Sequence, residues 1–468
     1  MFSNRFVRLL IPVVLASIFF LVPAPVGLKP TAWKLFGIFI ATILGLIVQS
    51  LPEAAWLMVT MTAAAVLVVP LKDLLVGFTD STVWLIVVAI MISVGFKKSG
   101  LARRVGLILI SKFGKTTLRI GYILGFMDLL LSPSTPTAPA RTGGLVYPLA
   151  EGVFEACDSS PTKNPRRIGS YITLLLYLMS MTTGSLFMTA LGPNLLNVKL
   201  AQDTLGVKIT WPLWTMAALP GFIGFFLIPY LVYKIYPPEL TSLATVRQSA
   251  KQELEKLGEV TVKEWLAGAI FILILGLWVT GSVTKIDATL VAFVGIALML
   301  IFGILDWKDL AESKETWASL MWFGAIMGLS TALTKLGFFT WLAAYIKTIL
   351  PGGLGVYSTL ALVALLATIP HYLFASLVGY VASFAPLAYS VIAATDVPRY
   401  PAVFLVLFLM VVSSTLTHYG NGVGPILFAK GYNDKKSWWS IGLLVTALHT
   451  VIYLTIGLVY WKVVGLWY

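Results

Sequence analysis

Long apolar runs separated by short polar stretches follow one another from one end of the chain to the other. Many runs approach the ~20 residues that a helix needs to cross a bilayer, and no long polar stretch could form a water-soluble domain. The pattern predicts an all-α polytopic membrane protein with about eleven transmembrane helices and two further segments that turn back. The predicted segments lie at about 5–23, 31–49, 54–71, 82–115, 118–155, 167–200, 213–235, 264–281, 286–305, 316–350, 355–391, 399–430 and 437–463.

Short sequence matches indicate that the chain is duplicated. Lys72–Leu74 recurs as Lys308–Leu310 at an offset of 236, and the Gly-Pro-x-Leu motif of Gly192–Leu195 recurs as Gly424–Leu427 at an offset of 232. Five such matches keep the same order at offsets of 231 to 237, half of the 468 residues, which favours duplication over coincidence among similar apolar helices. The predicted organisation is an N-terminal membrane helix at 1–30, a first repeat at 31–236, a cytoplasmic interfacial linker at 237–263 and a second repeat at 264–468.

Four of the predicted segments are interrupted by proline and polar residues. Those at about 118–155 and 355–391 have polar, proline-containing centres, which predict two re-entrant hairpins. Those at about 167–200 and 399–430 are predicted to be broken helices. Each repeat then holds five crossings and one hairpin. Because five is odd, the second repeat is expected to be inverted relative to the first, as in many secondary transporters.

The composition supports a membrane location and changes the meaning of the net charge. Hydrophobic residues make up 58% of the chain and charged residues 11%, whereas soluble domains carry about 25% charged residues. A net charge of +13 would suggest nucleic-acid binding in a soluble protein. With a cytoplasmic N-terminus and an external C-terminus, however, roughly twice as many Lys and Arg residues fall inside as outside, as the positive-inside rule requires. We therefore predict a plasma-membrane protein whose basic loops meet anionic lipid, with no nucleic-acid partner.

Motifs of the common enzyme classes do not occur in the chain. There is no His-Glu-x-x-His, no Gly-x-Ser-x-Gly and no phosphate-binding loop. Cys157 is the single cysteine, so an internal disulfide is excluded. These observations predict a protein that is not an enzyme and needs no cofactor and no metal, and secondary transport becomes the leading class.

The four interruptions form the predicted functional site, because irregular backbone at membrane depth is tolerated only where it is buried in protein or lines a wet cavity. They lie at about 132–144, 188–194, 370–379 and 415–424, and the repeat relates the first to the third and the second to the fourth. We expect all four to meet near the middle of the membrane. Helix N-termini that arise there carry partial positive charge and free amide groups, which suit carboxylates.

Charged side chains near the interruptions leave some roles open. Arg141 is expected at depth, where it either holds a substrate anion or lies against backbone carbonyls or a wet hairpin base. Asp128 is either a proton or cation site or the partner of Arg141. His371 and His418 are either ligands or satisfied hydrogen-bond partners, whereas His449 is expected to be structural. Hydroxyl and amide groups that could orient a substrate belong to Thr137, Thr189, Asn194, Ser376, Thr417 and Asn421.

Several motifs resemble the divalent anion/sodium symporter family, and within it the branch of 2-oxoglutarate/malate and citrate/succinate exchangers. The resembling stretches are Thr135–Arg141, Thr189–Asn194, His371–Ser376, Ser413–Gly422 and the segment from Ser81 to Arg104. The resemblance implies a homodimer in which a transport domain, made of both hairpins and both broken helices, moves like an elevator against a scaffold. It also implies hairpin tips with Ser-Asn-Thr signatures that bind sodium and substrate carboxylates.

The chain departs from the family at both hairpin tips. The signatures align with Thr137-Ala138-Pro139 and Ser376-Leu377-Val378, so both asparagines are missing. Arg141 and His371 offer positive charge where a sodium ion would otherwise help to hold a dianion. We therefore expect sodium-independent exchange of C4 and C5 dicarboxylates such as malate, succinate, fumarate and 2-oxoglutarate; sodium- or proton-coupled symport is the alternative, and an anion channel is less favoured. The expected substrate-binding residues are Thr137, Ala138, Pro139, Arg141, Thr189, Asn194, His371, Ser376, Leu377, Val378, His418, Asn421 and Gly422.

Overall fold

The structure is a computed structural model that describes residues 2–48, 51–350 and 354–467, and helices dominate these ranges. The helices before the linker are α1 (Phe2–Leu21), α2 (Pro30–Ile47), α3 (Glu53–Leu67), α4 (Leu71–Leu75), α5 (Ser81–Ser99), α6 (Leu101–Phe113), α7 (Thr117–Leu131), α8 (Tyr147–Ala156), α9 (Gly169–Leu186), α10 (Gly192–Leu205), α11 (Trp211–Ala218) and α12 (Gly221–Ile235). The linker contains α13 (Ala244–Leu257). After it come α14 (Val262–Val279), α15 (Gly281–Thr284), α16 (Ala288–Ile301), α17 (Trp307–Ala311), α18 (Lys314–Lys335), α19 (Phe338–Ile349), α20 (Val356–Leu366), α21 (Leu377–Ala393), α22 (Arg399–Val412), α23 (Val423–Phe428), α24 (Lys435–Ile452) and α25 (Leu458–Val463).

Helix length and composition identify a polytopic membrane protein. Seven of the described helices are long and apolar enough to cross a membrane, and there are eight if the pair α11 and α12, bent by 49°, forms one span. Shorter apolar helices accompany them, among them α3, α16 and α21. Large apolar side chains such as Ile272 and Val459 are exposed on these helices, which a soluble protein avoids and a lipid-facing surface requires. The count of eleven crossings and the re-entrant course of the two hairpins stay predictions.

The order of helices before the linker recurs after it. The long helices α5 and α18 each end at a glycine with left-handed backbone, Gly100 (φ 79°) and Gly337 (φ 80°), and a shorter helix follows each of them. The left-handed region is open to glycine at little cost, so the same sharp turn is built twice. Packing is reciprocal as well, because α5 packs against α16 while α18 packs against α3.

Two ion pairs join the halves through residues that belong to the sequence matches. Lys98 Nζ lies 2.6 Å from Asp309 Oδ2, and Lys335 Nζ lies 3.6 Å from Asp73 Oδ1. The two aspartates are 309 − 73 = 236 positions apart and the two lysines 335 − 98 = 237. Positions that match in sequence thus occupy matching places in the fold. This supports a duplication, and the inverted relation of its halves stays a prediction.

The linker helix α13 packs on α6. Arg104 of α6 is buried and fixes the end of the linker, because its Nε donates to Glu264 Oε1 at 2.8 Å and its Nη1 and Nη2 donate to the carbonyls of Gly258 and Glu259 at 2.8 and 2.9 Å. A buried arginine is tolerated when its donors are all engaged in this way. The linker is therefore anchored to the first half of the chain.

Candidate functional site

All four interruptions are built in the same way, as a helix that ends in a 3₁₀ turn before another helix begins. The four 3₁₀ turns are Ser132–Ser134, Met188–Ala190, Ile369–Leu373 and Ser413–Leu416. The helical segments that begin after them are Pro139–Val146, a stretch of π-helix leading into α8, and the helices α10, α21 and α23. Proline explains part of this, since Pro133 and Pro370 lack the backbone N–H that would continue a helix.

Direct contacts bring the interruptions together. In the first half, Gly192 N donates to Pro136 O at 2.9 Å and Thr189 Oγ1 donates to Pro133 O at 2.6 Å. Tyr177 of α9 connects to the second half, because its hydroxyl donates to Ser414 O at 2.7 Å. The tip of the first hairpin also touches the last interruption, where a Cβ on Gly422 would lie 3.0 Å from a ring carbon of Pro139. His371 Nδ1 in the third interruption lies 2.8 Å from Ser413 Oγ near the fourth, so direct contacts connect all four, and their depth in the membrane stays a prediction.

A cavity of about 280 Å³ lies where the interruptions meet. Eight of the thirteen expected binding residues line it, namely Thr137, Ala138, Pro139, Ser376, Leu377, Val378, Asn421 and Gly422. Gly192 and Pro193 of the Gly-Pro-x-Leu motif also line the cavity. They were not among the expected binding residues. All four interruptions thus contribute residues to one small site.

Helix N-termini surround this cavity. The segment Pro139–Val146 and the helices α10 and α21 begin with residues of its lining, and the short helix α23 begins directly after Gly422. Amide groups at helix starts have no partner within the helix and carry partial positive charge. Asn421 Oδ1 accepts from the amides of Val423 and Gly424, at 3.1 and 3.0 Å, and Ser376 Oγ accepts from the amide of Gly379 at 3.4 Å. Because these side chains already occupy the amides, what the helix starts offer an anion is their partial positive charge.

A further part of the lining comes from α3, α5 and α18. Ile86, Ile90 and Phe323 give it an apolar surface, while Glu53 and Glu315 add two carboxylates. Both glutamates were missed at the sequence level. They belong to the first turns of α3 and α18, outside the interruptions, and acids in the first turn are common in any helix. No sequence signal distinguishes them from ordinary helix starts.

Arg141 lies outside the cavity lining, contrary to the expected contact with substrate. It is fully buried, and its Nε donates to Asp128 Oδ2 at 3.0 Å. Its Nη1 donates to the carbonyls of Thr135 and Ala190, and its Nη2 to that of Ser180, at 3.0, 2.8 and 3.0 Å. The anion that a buried arginine requires is therefore supplied by the protein. Of the two roles left open for Asp128, the structure shows the partner of Arg141.

Asp128 is itself fully engaged. Thr142 Oγ1 donates to its Oδ1 at 2.5 Å, and Thr183 Oγ1 donates to its Oδ2. Asp128, Arg141, Thr142 and Thr183 are all completely buried. A buried ion pair is tolerated when hydrogen bonds satisfy the remaining atoms of both groups, as they do here.

The remaining four expected residues also lie outside the cavity lining. His371 Nε2 donates to Gly420 O at 2.9 Å and its Nδ1 lies 2.8 Å from Ser413 Oγ. Thr189 binds the carbonyl of Pro133, and Asn194 Nδ2 donates to the carbonyls of Gly184 and Phe187. His418 Nδ1 accepts from the indole of Trp439 at 3.0 Å. These residues hold the walls of the site together, and none of them is placed to touch a molecule in the cavity.

Comparison with known proteins identifies the family. The family model described as the sodium:sulfate symporter transmembrane region matches residues 3–467. The chain belongs to this family. The resemblance to divalent anion/sodium symporters, predicted from motifs that lie at the four interruptions, is thereby confirmed.

Three relatives and one solved structure extend the comparison. Inner membrane protein YbhI of Escherichia coli is 36% identical and the citrate/succinate antiporter of the same species 32% identical, and each match covers 98% of both chains. Dicarboxylate transporter 1 of spinach chloroplasts is 32% identical over 98% of this chain and 81% of its own. The solved YdaH transporter of Alcanivorax borkumensis has a TM-score of 0.56 over 88% of this chain and 89% of its own, at 14% identity, and so bears on the fold alone.

These comparisons establish a multi-pass membrane protein of a transport family, with a relative in a bacterial inner membrane. Two of the relatives are named as transporters, which favours transport over catalysis.

Proposed function

We propose that the protein exchanges C4 and C5 dicarboxylates across the plasma membrane and that it needs no sodium ion to do so. The observation that carries the proposal is the small cavity at which the helix N-termini of both halves begin. The names of two relatives, a citrate/succinate antiporter and a dicarboxylate transporter, support the substrate class.

The cavity offers a dicarboxylate dipoles rather than formal positive charge. Thr137, Ser376 and Asn421 line it with hydroxyl and amide groups, and helix starts from both halves contribute partial positive charge. Two carboxylates at opposite ends of a C4 or C5 chain can each meet one set of helix starts. Each helix terminus contributes about 0.3–1 kcal/mol in an exposed setting and up to about 2 kcal/mol when partly buried, so several termini together are needed.

The sodium-independent part of the proposal rests on the surroundings of Arg141. The carbonyl oxygens of Thr135, Ser180 and Ala190 come from a hairpin, a helix and a helix break, and they converge on one guanidinium. Carbonyl oxygens arranged in this way are ligands that a small cation would use, and here a side chain of the protein takes that place. In the second half, His371 Nε2 donates to the carbonyl oxygen of Gly420, so this oxygen also has a donor from the protein. With protein donors in these places, a bound metal cation is not required.

Obligate exchange follows from the empty cavity rather than from Arg141. Asp128 neutralises Arg141, so Arg141 adds no uncompensated positive charge when the substrate leaves. An empty cavity does leave the partial positive charge of several helix starts without an anion. Moving them through the membrane in that state costs free energy that a second dicarboxylate would remove. The carrier is therefore expected to return with substrate bound.

The remaining features of the proposal come from the family resemblance. They are an elevator movement of the hairpins and broken helices against a scaffold, a homodimer, a cytoplasmic N-terminus and an external C-terminus. Light scattering of the detergent-solubilised protein tests the dimer, and a stable monomer at working concentration would contradict it.

The decisive experiment is uptake of labelled succinate into proteoliposomes. We expect uptake only when the vesicles contain malate, succinate, fumarate or 2-oxoglutarate, at equal rates with and without sodium. Uptake into empty vesicles driven by a sodium or proton gradient would establish the symporter instead. Uptake into empty vesicles without any gradient would indicate a channel.

A further inference from the structure

Two carboxylates line the proposed substrate site together with the helix N-termini. Glu53 belongs to α3 and Glu315 to α18, and these two helices pack against each other. Both side chains are exposed, and Trp322 of α18 donates a hydrogen bond to Glu53. Among the described residues that line the cavity, these two are the charged ones. The lining therefore combines the partial positive charge of the helix starts with two formal negative charges.

This combination of charges affects molecules with two and with three carboxylates differently. A dicarboxylate can direct both of its charged groups towards the hairpin tips and helix starts. In a cavity of about 280 Å³, a tricarboxylate has little freedom to direct all three groups there, so the third group turns towards α3 and α18. Like charges repel each other over several ångströms in a partly desolvated site, so this third group meets a penalty from Glu53 and Glu315.

We propose that Glu53 and Glu315 act as a charge filter that makes the site favour dicarboxylates over tricarboxylates. The inference rests on the proposed dicarboxylate exchange and adds the residues that limit the charge of the substrate. The helix starts attract the carboxylates of both substrate types. The two glutamates discriminate between them by repelling the third carboxylate of a tricarboxylate.

The test compares competition by citrate and by succinate. Exchange of labelled succinate is measured in proteoliposomes with increasing unlabelled succinate or citrate, and the ratio of the two half-inhibitory concentrations is calculated. Glu53→Gln, Glu315→Gln and the double variant keep side-chain shape, and Gln at position 53 can still accept from Trp322. We expect the half-inhibitory concentration of citrate, divided by that of succinate, to fall in each single variant. In the double variant it should fall by about tenfold, which corresponds to a change of about 1.4 kcal/mol in relative binding free energy.

Glu312→Gln is the matched control. Glu312 is exposed and lies three residues before Glu315, but it does not line the cavity and its nearest charged partner is Lys308 at 3.8 Å. This variant should leave the ratio unchanged. Raising the ionic strength to about 1 M should lower the ratio of the wild-type protein but barely that of the double variant, because salt screens the repulsion.

The outcomes separate the two proposals. If the wild-type protein exchanges no dicarboxylate, the proposed function fails and the filter fails with it. If it exchanges dicarboxylates and the double variant keeps the wild-type ratio, the filter alone is wrong. Slower succinate exchange in both single variants at an unchanged ratio would also overturn the filter, since the glutamates would then serve the carrier in another way.

Discussion

The first and second halves of the chain hold their hairpins to their broken helices by different chemistry. In the first half, a buried ion pair between Arg141 and Asp128 joins α7, the hairpin tip and α9. In the second half, the neutral side chains of His371 and Ser413 and the carbonyl of Gly420 make the corresponding junction. The architecture recurs while the residues that stabilise it differ.

We call the contacts around Arg141 and Asp128 the first junction and those around His371 the neutral junction. The two junctions should differ in their sensitivity to substitution. Removing one partner of a buried ion pair leaves an uncompensated charge and costs about 3–5 kcal/mol. Losing a neutral hydrogen bond costs about 1–3 kcal/mol when a buried group stays unsatisfied. The first junction should therefore tolerate far less change than the neutral junction, although neither is placed to touch the substrate.

The largest effect is expected for Arg141→Ala. Asp128 would stay buried without its partner, and three carbonyls would lose their donor. We expect exchange to fall by about 100-fold or more and the melting temperature in detergent to fall with it. Arg141→Lys should restore little, because an ammonium cannot reproduce the planar fork of five donors. Exchange at a near wild-type rate in Arg141→Ala would contradict the proposed junction.

A double variant separates a structural role of Arg141 from direct contact with the substrate. In Arg141→Met with Asp128→Leu, no charge is left buried, and apolar replacement of an ion pair is often neutral or stabilising. We expect the melting temperature to recover towards that of the wild-type protein. A double variant no more stable than Arg141→Ala would show that the ion pair is not the main contribution of Arg141 to stability.

The second prediction concerns Asp128→Asn, which keeps the shape of the side chain and removes its charge. The guanidinium of Arg141 then adds an uncompensated positive charge beside the hairpin tip. We expect a lower melting temperature than in the wild-type protein, together with a lower KM for succinate. A higher KM for succinate would indicate that Asp128 does not shield the substrate from Arg141.

Sequence reasoning found the interruptions but not the roles of all their residues. Proline and polar residues within apolar segments are local signals, and they located both hairpin tips, which line the cavity. The partners of Arg141 are not local, because Ser180 and Ala190 lie 39 and 49 positions away from it. Whether a buried arginine meets a substrate or a protein carboxylate depends on that packing, so the sequence alone left the question of Asp128 open.

Glu53 and Glu315 show a second reason why sequence reasoning stops short of the site. Glu53 and Glu315 belong to ordinary helix starts and carry no interruption, motif or unusual spacing. Only the packing of α18 against α3, α5 and α10 gives these acids a place in the site.

The third prediction addresses the neutral junction through His371→Ala. This change removes the donor to Gly420 and the partner of Ser413 without leaving a buried charge. We expect a fall in exchange of about tenfold, smaller than for Arg141→Ala, from the unsatisfied carbonyl. His371→Gln, whose amide can donate to the carbonyl, serves as the matched variant and should recover part of the loss. If His371→Ala were as damaging as Arg141→Ala, the contrast between the halves would be wrong.

The smallest effect is expected for Thr189→Val, which removes the two hydrogen bonds of the Thr189 hydroxyl in the first half. Thr189 Oγ1 donates to Pro133 O at 2.6 Å and accepts from Trp211 Nε1 at 3.3 Å, so it joins the first helix break to the hairpin. Valine fills nearly the same volume, and the net loss of about 1 kcal/mol should lower the exchange rate by about two- to fivefold. Thr189→Ser keeps the hydroxyl and is the control in which the hydrogen bonds of this group are retained. Because Arg141 still connects the same two segments, the loss in Thr189→Val should be smaller than in His371→Ala; a larger loss would mean that the ion pair does not dominate the first junction.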